Sequence, residues 1–152
     1  MRQIKCRAWD GVKMHEVYQI QMRKSGIVAY TLTNGRFTKI ENCQILESTG
    51  LKDSSGEEIF EGYIIEVKPE WYRGGLAAGP SGDEEMKISK PQYLVTWCEE
   101  VAGFMAKKVA HVIYDFPDRG TYLWLSAYEG SGCKIIGNKF ENPELLSLSP
   151  QN

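Results

Sequence analysis

The sequence predicts a mainly β fold: a small SH3-like or related barrel built from hairpins, with an N-terminal sheet portion and a short C-terminal helix. Three observations predict it. Several short segments alternate between apolar and polar residues, the period that sends successive side chains to opposite faces of a strand. An Asn-Gly pair sits between two such segments. Gly and Asp turn signals divide the runs richest in β-branched and aromatic residues.

In order along the chain, Ile4 to Trp9 alternates and is closed by the turn signal Asp10-Gly11. Val17 to Met22 alternates again. Ala29 to Thr33 and Arg36 to Ile40 flank Asn34-Gly35, which suits the two positive φ angles of a type I′ turn. Cys43 to Ser48 is a further short strand, and Asp53-Ser54-Ser55-Gly56 is a turn. Glu61-Gly62 bends the chain directly before Tyr63-Ile64-Ile65-Glu66-Val67, which reads as a core strand.

Residues 68–90 break the rhythm, with glycines and a proline and no apolar period; a loop of this length is usually functional or unstructured. Gln92 to Trp97 and Gly103 to Ala106 read as partner strands, and Phe116 to Gly120 as a turn. Thr121 to Leu125 fits a strand or the approach to a short helix. Cys133 to Phe140 reads as a strand. Asn142-Pro143-Glu144 then has the order of a helix start, with Asn at the cap, Pro first and an acid in the first turn. The expected organisation is one domain over 1–152, with N-terminal hairpins over 1–47 and a barrel over 48–148 that carries the 68–90 loop. The alternative is α+β, with helix across 99–128.

With 152 residues, 42% hydrophobic and 25% charged, the chain has an ordinary globular composition. A chain of that length buries roughly 68–70% of its unfolded surface and folds without staples. No apolar run approaches the roughly 20 residues that cross a bilayer, and the first residues lack a secretory signal, so no membrane role and a cytoplasmic location are expected. Cys6, Cys43, Cys98 and Cys133 are widely spaced, with no Cys-x-x-Cys pair. Reduced, mostly buried thiols are expected, with no metal site and no cofactor. A net charge of −2 with basic residues spread along the chain does not point to nucleic acid, although a local patch can form in three dimensions.

No catalytic residue is assigned. His111 lies in an apolar stretch and His15 near a turn; Glu99-Glu100, Asp115 and Asp118 fit solvated turns better than a convergent acid–base pair. No phosphate-binding, dinucleotide or nucleophile-elbow motif is present. The interaction candidates are Trp71, Tyr72 and Arg73 at the entrance of the 68–90 loop, since Trp and Arg are favoured at binding hot spots.

Three blocks together resemble one family: Ile4 to Asp10, then Thr49 to Asp53 with Gly56 to Ile65, then Ile135 to Leu146. The resemblance is to the YopX family, encoded mainly by bacteriophages and prophages, and it spans the chain. Tyr63 stands where that family usually has Asp after the central Glu-Gly, and the 68–90 loop is longer and richer in glycine. The resemblance implies a phage or prophage origin and a bacterial cytoplasm, and brings no activity with it. The physical reading of the same blocks is turns, caps and core, with Gly50, Gly56 and Gly62 placed in turns that need positive φ. The functional expectation is a non-enzymatic accessory protein that acts as a macromolecular binding or host-interaction module; the alternatives are a nucleic-acid-binding small barrel and, behind it, an enzyme with an unrecognised site. The expected partners are further copies of the chain, through open strand edges, and a host or phage protein.

Overall fold

The computed structural model describes residues 5–67, 92–109, 122–124 and 132–146. Within them the chain forms β1 (Cys6–Trp9), β2 (Met14–Glu16), β3 (Gln19–Arg23), β4 (Gly26–Thr33), β5 (Arg36–Ile40) and β6 (Gln44–Lys52). There follow β7 (Glu58–Phe60), β8 (Tyr63–Val67), β9 (Gln92–Cys98), β10 (Gly103–Lys108), β11 (Tyr122–Trp124) and β12 (Cys133–Asn138). The strands pair antiparallel in three sheets, ordered β2-β1-β6-β7, β11-β10-β9-β8-β12 and β3-β4-β5. The fold is mainly β, and its curled sheets make a half-barrel.

Local chemistry sets the hairpins. Asn34 and Gly35 take φ of 51° and 75°, and Thr33 pairs with Arg36 across them, as the type I′ turn requires. β9 and β10 pair from Gly103 opposite Cys98 to Lys108 opposite Tyr93. Residues 103–108 and 122–124 are therefore strand, which removes helix from the described part of 99–128.

The main core lies between the four- and five-stranded sheets. Leu46, Ile59 and Phe60 come from one; Ile65, Val67, Tyr93, Val95, Ala106 and Cys133 come from the other, and all are buried. β8 is the most enclosed strand, with Glu66 alone partly exposed. A smaller cluster of Ala8, Ala29 and Ile40 fastens the three-stranded sheet to β1.

Three features sharpen the sequence reading. β6 runs on through Gly50 to Lys52, because the positive φ of Gly50 (77°) is used in a bulge where pairing with β7 shifts between Ser48 and Lys52. β6 also passes through residue 47 and so joins the N-terminal hairpins to the barrel. The short C-terminal helix takes the form of one 3-10 turn, Pro143–Leu146, with no buried residue. Asn142 faces backward there: its Oδ1 accepts from the Asn138 backbone N–H at 3.3 Å, at the end of β12.

Gly62 turns the chain between β7 and β8 at φ 81°, and a Cβ there would stand 3.1 Å from Lys139 Cε. Gly62→Ala should cost about 1–2 kcal/mol, read from the urea unfolding midpoint. Gly56→Ala, at φ 83° in open space, is the comparison and should cost less.

Candidate binding surface

Lys5 to Asp10 of the opening block meet the blocks at Thr49 and Ile135 in space, and what they build is a frame. Asp53 is 3% exposed and accepts four hydrogen bonds. Its Oδ1 takes the backbone N–H groups of Ser55 and Glu57, both at 2.9 Å; its Oδ2 takes Ile135 N–H at 3.1 Å and the Ser55 hydroxyl at 3.2 Å. Burial pushes its carboxyl up, but the donors from Ile135, Glu57 and Ser55 outweigh this and hold it below the usual range. Trp9 stacks on Phe140 at 5.4 Å, joining the opening block to the closing one. Arg7 donates to the Tyr63 hydroxyl and lies 4.8 Å over the Phe60 ring. Tyr63 thus gives Arg7 a neutral acceptor at the position where the resemblance led one to expect an acid.

Of the titratable residues singled out in the sequence, His15, Glu99 and Glu100 are described. His15 Nε2 lies 2.7 Å from Asp10 Oδ2, while Asp10 Oδ1 accepts from the backbone N–H groups of Val12 and Lys13. The hydrogen bond from His15, then those from Lys13 and Val12, hold the Asp10 carboxyl well below its usual range. Glu99 and Glu100 form the exposed turn between β9 and β10. Cys6, Cys43 and Cys98 are half-buried and Cys133 is buried, so one thiol of the four is fully enclosed; none forms a disulfide. Burial, then the Asp53 carboxylate, pushes the Cys133 thiol up to about 11. Among the described residues no group of three or more His, Cys, Asp or Glu is placed to hold a metal ion, and no helix is long and apolar enough to cross a membrane. His111, Asp115 and Asp118 lie outside the described residues, as do the 68–90 loop and its candidates Trp71, Tyr72 and Arg73.

The surface that sequence reasoning missed is the β3-β4-β5 sheet. Its register puts Gln19, Tyr30 and Lys39 in one row across the three strands, with Leu32 opposite Phe37 in the next row. Phe37 is 57% exposed and Tyr18 is 66% exposed, their rings 5.4 Å apart. On the same face Arg23 donates to Gln21 at 3.1 Å and to the Tyr30 hydroxyl at 3.3 Å. From Val17 to Ile40 the chain holds Arg23, Lys24, Arg36 and Lys39 and no acidic residue. All four basic side chains are exposed. Glu41, just beyond β5, accepts from Lys39, and that hydrogen bond lowers its carboxyl. The signal was available in the sequence as a run of 24 residues without an acid, but the net charge of −2 averages it away.

A family model described as YopX protein matches residues 5–147, nearly the whole chain. The chain belongs to the YopX family. No curated protein matches it. The crystal structure of protein EF1440 from Enterococcus faecalis is similar to it, with a TM-score of 0.52 and 22% identity, over 97% of this chain and 100% of that one. That likeness supports the fold. Within this YopX chain the basic sheet lies between the opening and central blocks, outside the frame they build with the closing block.

Proposed function

We propose that this YopX chain is a phage or prophage accessory protein of the bacterial cytoplasm that works by binding an anionic macromolecule, and that the β3-β4-β5 sheet is its binding surface. The observation that carries this reading is a sheet with four exposed basic residues, no acid between Val17 and Ile40, and solvent-facing Tyr18 and Phe37, on a chain whose net charge is negative. A local field of this kind attracts polyanions whatever the overall charge. Binding in place of catalysis is favoured because the shifted carboxyls Asp10 and Asp53 are each spent on holding turns.

Retention on a heparin matrix at low salt tests it. The native chain should be retained, and a variant with Arg23, Lys24, Arg36 and Lys39 changed to Gln should elute near the void. A control with Lys13, Lys52, Lys107 and Lys134 changed to Gln has the same net charge and should still be retained. Equal shifts in the two variants would mean that overall charge, not this sheet, governs retention.

A further inference from the structure

We infer that the ligand of this sheet is single-stranded nucleic acid, bound with its bases on Phe37, Tyr18 and Tyr30 and its phosphates on Arg23 and Lys39, which the register places on the face of Tyr30 and Phe37; this rests on the sheet being a polyanion-binding face. The argument starts from spacing. Successive same-face residues of a strand lie about 7 Å apart, so the Tyr30 row and the Phe37 row are separated by roughly that distance. Two aromatic rows on an open antiparallel sheet, with cations at its rim, form the arrangement on which unpaired bases stack while the backbone is neutralised.

The mix of side chains separates the candidate polyanions. A purely electrostatic site for acidic protein or polyphosphate has no use for solvent-facing aromatic rings, whereas Phe37 is 57% exposed and Tyr18 66%. Tyr30 and Phe37 lie on the face of the sheet opposite Ala29 and Ile40, so packing against Ala8 of β1 does not account for their placement. Duplex nucleic acid keeps its base faces covered and offers these rings nothing to stack on. Gln19 and Gln21 add amide donors and acceptors on the same face, positioned by the pairing of β3 with β4. The Tyr30 hydroxyl is already held by Arg23 and donates to Gln21 Oε1 at 3.3 Å, which fixes the ring orientation before any ligand arrives.

The experiment is a fluorescence-anisotropy titration of the full chain against a labelled 20-nucleotide oligo(dT), with the same-length duplex and a poly-glutamate peptide as competitors. If Arg23 and Lys39 each neutralise one phosphate, affinity should fall roughly 7-fold between 50 mM and 200 mM salt. Phe37→Ala should weaken binding roughly 5- to 150-fold and Phe37→Trp should restore it, since the loss is of stacking and the site is exposed. Circular dichroism of each variant confirms that the fold is kept. Capture of poly-glutamate without the oligonucleotide would overturn this inference and leave the polyanion reading standing. Equal affinity for duplex and single strand, or indifference to Phe37→Ala, would overturn it as well. Binding to none of the three probes would remove both readings.

Discussion

Asp53→Ala is expected to lower the unfolding free energy by about 3–5 kcal/mol, because it leaves the backbone N–H groups of Ser55, Glu57 and Ile135 without their buried acceptor. Each of these donors now meets a charged oxygen at 2.9–3.1 Å, the stronger kind of hydrogen bond. The carboxylate also joins the β6–β7 turn to β12 across 82 positions of sequence, so its loss loosens both partners together. Urea unfolding at pH 7 measures the difference. Asp53→Asn keeps the size but turns a donor toward other donors, and should recover only part of it.

The pH dependence of the same site follows from its lowered carboxyl. In the unfolded chain Asp53 takes up its proton near the ordinary value of about 3.9, while in the folded chain it does so at a lower pH. The contribution is therefore complete above the unfolded value, and is lost as pH falls through the folded one. The gap between native chain and Asp53→Ala should narrow between pH 5 and pH 2. A gap that stayed constant over that range would show that the carboxylate charge contributes nothing.

Ile65→Ala is expected to cost about 3–4 kcal/mol for a different reason. Ile65 is fully buried on β8 and stands opposite Tyr93 on β9 and Ile135 on β12. Truncation opens a cavity in the middle of this three-strand row, where antiparallel pairing on both sides resists collapse. Ile65→Val, which removes a single methyl group, should cost about 1 kcal/mol, and Ile20→Ala on the partly exposed β3 less than either. Thermal unfolding would separate the three, since each kcal/mol displaces the Tm by about 2–4 °C at this chain length.

What the sequence made legible was local. Asn34-Gly35 announced its turn because two adjacent residues supply the whole requirement, and the β-branched run at Tyr63 to Val67 announced a buried strand. Gly50 misled because positive φ serves a bulge as well as a turn, and only the pairing of β6 with β7 distinguishes them. The meeting of Asp53 with Ile135, and of Trp9 with Phe140, depends on strand order, which no window of sequence contains. The candidate surface was hidden for a related reason. Arg23, Arg36 and Lys39 are spread over the 17 positions from 23 to 39, and antiparallel pairing gathers them onto one small sheet.

The closure of the frame by β12 has a consequence for biosynthesis. β8 gains its second neighbour only when Cys133–Asn138 pair with it, and Asp53 gains Ile135 at the same moment. A nascent chain emerging from the ribosome thus carries an unsealed β8 edge from the release of Val67 until Cys133–Asn138 follow. The β3-β4-β5 meander needs no such wait, since its pairings lie within residues 19–40 and close short loops. The β1-β2 and β9-β10 hairpins are local in the same way, so what waits for β12 is the second edge of β8 and the bond from Ile135 to Asp53.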